Sequence, residues 1–179
     1  MIKKILLGVL GIAVLLVVIG LVLPGQATVT RSVVVNVPPD TAYAYLNGYG
    51  NFNQWSPWAQ LDPNTQYSYS GPASGVGAKM TWKSTDPNVG GGMQEIIAVV
   101  PNQEIHARLK FDGFDGESRT SFLLRPESDA QTQITWRMVS DMGASPVNRW
   151  FGVFLDKMVG PDYEKGLTQM KPILEALPR

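Results

Sequence analysis

The sequence predicts an α+β protein: a curved antiparallel sheet wrapped around a long C-terminal helix, preceded by one transmembrane helix. Three observations predict it. An unbroken apolar run fills Ile5 to Leu23. The middle of the chain alternates apolar and polar side chains with a period of two. From Ser145 onward the period returns to 3.6.

The N-terminal run begins after Lys3 and Lys4 and has no charged or polar side chain. As a helix it would rise roughly 28 Å, close to the hydrocarbon thickness of a bilayer. Positive charge stays on the cytoplasmic side, so the two lysines predict a cytoplasmic N-terminus and a periplasmic or extracellular remainder. Pro24 and Gly25 end the helix. A cleaved signal peptide is the competing reading. Its apolar region usually runs only about 7–15 residues, yet Gly25-Gln26-Ala27 is a tolerable cleavage site. Both readings export the domain. The expected division is 1–26 for the cytoplasmic stub and anchor, and 27–179 for a single ligand-binding domain.

Thr28 to Val37 reads as a strand, rich in β-branched residues. Pro38-Pro39-Asp40 breaks it and can open a short helix through Leu46, which Asn47-Gly48 ends. Phe52, Trp55 and Trp58 follow, with Ser56-Pro57 forcing a turn or a new helical start. Tyr67 and Tyr69, then Met80 and Trp82, alternate with polar residues. After Gly90-Gly91-Gly92, Ile96 and Ala98 are expected to face the core, leaving Glu95 outside. Ile105, Ala107, Leu109 and Phe111 share one face, as do Thr120, Phe122 and Leu124, and Ile134, Trp136 and Met138. This is a meander with one apolar and one wet face. The last helix takes Ser145 as cap and Pro146 in its first turn. Gly160-Pro161 is expected to kink or divide it.

Composition excludes several functions. Fifteen basic side chains balance 15 acidic ones, so nothing attracts a nucleic-acid backbone. Removing Lys3 and Lys4 leaves 13 basic against 15 acidic residues, which gives anionic lipid heads no attraction either. Absent cysteine removes disulfides, thiol nucleophiles and Cys-ligated metals, and one histidine rules out a His-rich metal site. No cofactor and no metal ligand set is expected.

No catalytic constellation appears, which weighs against an enzyme. His106 falls on the wet face beside Arg108 and Lys110. Ser74 and Ser145 sit in no nucleophile-elbow motif. The glycine clusters lie between strands and lack the phosphate-loop lysine. Glu95, if inward, would have a raised pKa; outward, it is a solvated carboxylate. Asp112, Asp115 and Glu117 share a loop without the Ca²⁺-loop pattern.

The order strand, small helices, six-strand meander and long helix resembles the helix-grip fold of the START-like (SRPBCC) superfamily. Locally the chain looks like its polyketide cyclase/dehydrase branch. The segments that carry the resemblance are Trp55-Ser56-Pro57-Trp58, Gly71 to Ala78, Gly92-Met93 with Ile96, and Gly160 to Leu167. The resemblance spans about Val29 to Leu177. It implies a cavity for a lipid or other hydrophobic small molecule. Expected lining residues are Trp82, Met80, Phe111, Phe122, Trp136, Phe154 and Met158, with Thr120 as a polar group. Trp55, Trp58, Gly75, Gly77 and Phe114 are expected at the rim.

Three functional readings stand at this point. The first is membrane-anchored binding of a hydrophobic small molecule. The second is an envelope interaction module whose core is filled by side chains. The third is a cyclase/dehydrase-like enzyme on a hydrophobic substrate.

Overall fold

The computed structural model describes residues 2–114 and 116–177. Helix α1 (Ile2–Val22) leads into strand β1 (Gln26–Val35). Three short helices follow: α2 (Pro39–Leu46), α3 (Phe52–Trp55) and α4 (Pro57–Leu61). Six strands form the meander: β2 (Gln66–Ser70), β3 (Lys79–Lys83), β4 (Gly91–Val100), β5 (Glu104–Phe111), β6 (Ser118–Ser128) and β7 (Gln131–Asp141). Helix α5 (Pro146–Glu175) closes the chain.

All seven strands make one antiparallel sheet in the order β1-β7-β6-β5-β4-β3-β2. The meander leaves β7 as an open edge, and β1 returns to fill it. Alternation sets the register. Phe122 opposes Trp136 on one side and Ile105 on the other, so one row of inward side chains crosses three strands. The concave face buries Val29, Met80, Ile96, Leu124, Ile134 and Trp136. The convex face carries polar pairs: Ser32 with Thr135 at 2.8 Å and Arg108 with Glu95 at 2.8 Å.

One element departs from simple alternation. A bulge between Ile96 and Ala98 puts an extra residue into β4. Ile96 is buried as expected, but Ala98 is turned outward and Val99 becomes half-buried in its place. An inserted residue reverses the face of everything beyond it.

Helix α5 lies chiefly over β1 and sends Leu155, Tyr163, Leu167, Met170 and Leu174 into the core. It runs through Pro161 as one helix, so of the expected kink or division the division does not occur. The Ser145 side chain accepts a hydrogen bond from the Asn148 amide at its start. Gly160 has a steric reason to be glycine: a Cβ there would collide with the Arg31 guanidinium. Arg31 rises from β1 beneath the helix and donates to Asp156 at 2.8 Å and Glu164 at 2.6 Å.

The hydrogen bond from Arg31, with its charge, holds the Asp156 carboxyl below its ordinary value, with desolvation opposing. A depressed folded-state pKa stabilises the fold above the unfolded value. That contribution disappears as pH falls through the folded value. The urea midpoint is therefore expected to fall below about pH 4. Asp156→Asn should flatten that fall, and an unchanged profile in the variant would show the clasp to be irrelevant.

Candidate functional site

An apolar cavity lies between the concave sheet and the α2–α3 segment. Tyr45 and Leu46 of α2, Gly48 and Tyr49 of the connection, and Phe52 and Trp55 of α3 form one wall. Gln94 and Ile96 of β4, Ile105 and Ala107 of β5, and Thr120 and Phe122 of β6 form the other. Its volume is about 20 Å³, which is room for about one water molecule.

Aromatic packing explains why the space is so small. Trp136 stacks on Tyr163 with centroids 3.8 Å apart and on Phe122 at 5.4 Å. Trp55 meets Trp136 edge-on at 5.2 Å, and Trp58 meets it at 6.0 Å. The one polar atom of the Trp136 ring is satisfied, because its indole N–H donates to the Thr120 hydroxyl at 3.0 Å. Burial pushes the Tyr163 phenol well above its ordinary value, so it stays neutral.

Tyr49 is different. It is 7% exposed, and among the described residues its buried hydroxyl has no hydrogen-bond partner. Burial, then the charge of Glu95, raises its pKa. A buried orphan hydroxyl costs about 1–3 kcal/mol. Tyr49→Phe is therefore expected to raise unfolding stability by about 1 kcal/mol in urea titrations. A destabilised variant would mean that the hydroxyl already has a partner.

The sequence expectations sort into three groups. Thr120 and Phe122 line the cavity, and Trp55, expected at the rim, is 2% exposed in its wall. Met80 and Trp136 are buried in the adjoining core rather than against the void, and Trp58 is half-buried against Trp136 and Tyr163. Gly75 donates its amide to Asn47, and Gly77 donates to Ile96, which ties the Gly71–Gly77 loop beside cavity-lining Gly48. Both have positive φ, +80° and +90°, which glycine adopts without strain.

The third group lies elsewhere. Trp82 turns its ring over Gly92, where a Cβ would lie 2.7 Å from the indole, and meets Phe111 edge-on at 5.9 Å. Phe111 itself is exposed, as are Phe114, Phe154 and Met158. Phe154 and Met158 sit on a second apolar stripe of α5, turned away from the face that meets the sheet. Sequence reasoning missed Tyr45, Tyr49 and Phe52. Their spacing of four and three residues continues one helical stripe through the Asn47-Gly48 break, and that was the available signal.

Of the titratable candidates, Glu95, His106 and Glu117 each sit in a pair. Arg108 donates to Glu95, which lowers that carboxyl's pKa and keeps it charged on the wet face. His106 lies between Ser121, 2.8 Å from Nδ1, and Glu104, 2.7 Å from Nε2. Glu117 is 3.6 Å from Lys110, and Asp115 lies outside the described residues.

Residues 26–175 match the family model described as "Polyketide cyclase / dehydrase and lipid transport". The chain belongs to this family. The match begins where β1 begins and leaves α1 outside it. No curated protein matches the chain in sequence. Among solved structures, truncated norcoclaurine synthase from Thalictrum flavum superposes with a TM-score of 0.64 at 11% identity. The alignment covers 86% of this chain and 96% of that one. Protein CV1439 from Chromobacterium violaceum gives a TM-score of 0.56 at 18% identity, covering 84% and 99%. The Aha1 dimer from Colwellia psychrerythraea gives 0.57 at 16%, covering 83% and 96%. At these identities the likeness establishes the shared helix-grip fold of the polyketide cyclase/dehydrase and lipid transport family and nothing finer.

Proposed function

We propose that this family member is a membrane-anchored binder of a lipid or another hydrophobic small molecule, taken up beneath α2 and α3. The observation that carries the reading is the apolar cavity with the phenol of Tyr49, unpartnered among the described residues, in its wall. Such sites join an apolar lining to a few polar groups that fix orientation. Here Tyr49 would supply one hydrogen bond and Gln94 a second, and the alkyl part would contribute about 0.8 kcal/mol per buried CH₂.

At about 20 Å³ the cavity is closed to any such ligand. Uptake requires α2 and α3 to move off the sheet. The Gly71–Gly77 loop, bonded to Asn47 at the end of α2, would move with them. Helix α1 is long and apolar enough to cross a membrane. As a retained anchor it would hold the cavity beside a store of apolar molecules. The domain would then stand on the periplasmic or extracellular side.

The filled aromatic core favours one other reading, an interaction module that works through its surface. Native mass spectrometry of residues 27–179, followed by organic extraction, separates the two. A co-purifying apolar molecule, or an adduct after incubation with a fatty-acid and phospholipid panel, is the expected result. A persistently apo mass would shift the function to the surface.

A further inference from the structure

We infer that the first half of α5, with Phe114 at the same end of the sheet, is a second membrane contact that seats the domain in the leaflet where α1 emerges. The inference rests on the reading of α1 as a retained span. It adds a surface that the span alone does not require.

Contacts between the two helices set the depth. The Trp150 indole N–H donates to the Leu16 carbonyl at 2.9 Å, and Arg149 donates to the carbonyls of Leu21 at 2.6 Å and Leu23 at 3.2 Å. Pro146 closes on Gly20, where a Cβ would lie 2.7 Å from the proline Cβ. Leu16 is six residues inside the end of α1, about 9 Å along the helix axis. The start of α5 is therefore bonded to a part of the span that lies below the surface of the leaflet. Interfacial helices bury their apolar face about 5–10 Å.

Exposure follows the same geometry. Val147, Phe151, Phe154 and Met158 recur at spacings of four, three and four, which places them on one stripe of α5. They are 75, 41, 53 and 54% exposed. Strand register brings two more aromatic side chains to this end of the sheet. β5 ends at Phe111, opposite Gly92, β6 starts at Ser118, opposite Ser140, and Gln26 opposes Asp141. The β5–β6 loop thus lies at the end from which α1 departs, and it presents Phe114 at 67% exposure. The opposite end carries Asn102 and Gln103 in one turn and Asp129 and Gln131 at the other hairpin, with Val76 and Val100 as its exposed apolar side chains.

Charge on the first half of α5 is largely paired, and the β5–β6 connection adds the exposed Asp112 and the Lys110-paired Glu117. Asp156 is paired with Arg31, and Arg149 is spent on carbonyl groups. Among the described residues Lys157 extends from this part of the helix without an ion pair, and a lysine can reach from an apolar face to lipid phosphates. A bilayer interface, rather than a protein partner, continues the environment that α1 itself demands.

The chain contains no cysteine, so single labels are unambiguous. Full-length Phe154→Cys, Phe114→Cys, Leu10→Cys and Gln131→Cys variants, each carrying an environment-sensitive fluorophore, would be reconstituted into phosphatidylcholine vesicles. Two quenchers are compared: nitroxide on the lipid acyl chains and iodide in the water. Both test positions are exposed, so labelling leaves the core intact; the circular dichroism melt checks this. At 154 and 114, nitroxide quenching at least twofold stronger than at 131 is expected, together with protection from iodide. Free iodide quenching at 154 and 114, with Leu10 still quenched from the lipid, would overturn the seat and leave the anchor standing. Iodide access at Leu10 would overturn both. Protection from both quenchers at 154 would mean a protein surface, such as a second copy of the chain, covers the stripe, and would equally overturn the proposal.

Discussion

Trp136→Ala is expected to cost about 3–5 kcal/mol of unfolding free energy. The ring is 3% exposed and touches Trp55, Trp58, Phe122 and Tyr163 at once. Its removal leaves a space that four large side chains cannot fill by small shifts, and it deprives the Thr120 hydroxyl of its indole donor. In a domain of this size the melting temperature should fall by about 10 °C or more. Guanidinium or thermal denaturation of residues 27–179 reads the effect directly. A loss below about 1 kcal/mol would show that the cluster is loosely packed and that the enclosed volume is larger than the static structure implies. Exogenous indole or benzene should partly restore the melting temperature, because an apolar hollow is a binding site for a molecule of its own shape.

The second expected result concerns affinity. Ala107→Leu should weaken binding of an apolar ligand at least tenfold while leaving the domain folded. Ala107 is 5% exposed on β5, directly across the cavity from the α2–α3 wall. Its side chain points where a ligand would lie. A leucine there would fill the existing void and block its expansion, with an overpacking cost of about 1–3 kcal/mol. The comparison is a fluorescent fatty-acid titration of wild type and variant at equal folded fraction. Equal affinity would place the ligand elsewhere, on the exposed stripe of α5 or the loop at Phe114.

These two positions also show what could be read from the sequence. Period-two alternation places both Trp136 and Ala107 on the inward face, because that period survives even in an irregular sheet. The register then follows from the hairpin turns, and the cover from the only long amphipathic helix. Alternation fails where an extra residue enters, as at the bulge before Ala98, because nothing local in Glu95 to Val100 marks the insertion.

Helix α5 is less legible in the sequence. It carries two apolar stripes in its first half, one through Leu155 and one through Phe154 and Met158. Hydrophobicity alone does not distinguish a core stripe from a lipid-facing one. The discriminating residues are the glycines. Gly152, Gly160 and Gly166 lie where the helix comes close to Met142, Arg31 and Trp136, and they mark the side that meets the sheet. Phe154 lies almost opposite that side. The cavity wall is hidden in the sequence for a related reason. Tyr45 and Tyr49 belong to a short helix and its exit, where the strand-like pattern that located the other lining residues does not apply. The orphan hydroxyl of Tyr49 is a property of three-dimensional surroundings, invisible in a one-dimensional pattern.

The pH expectation at Asp156, the stabilisation expected from Tyr49→Phe and the two results above bear on different parts of the molecule. They address the clasp between β1 and α5, the polar group of the cavity, the aromatic cluster and the space itself. Only the last bears on function without an intermediate step.

The central claim, that an apolar ligand enters beneath α2 and α3, is tested most directly by its position. Residues 27–179, labelled with ¹⁵N, would be titrated with a fatty acid carrying a nitroxide near the end of its chain, and amide broadening would be mapped. Broadening centred on Tyr49, Ile96, Ala107 and Thr120 is the predicted result. Broadening confined to Phe114, Phe154 and Met158, with the cavity amides unchanged at saturation, would contradict it.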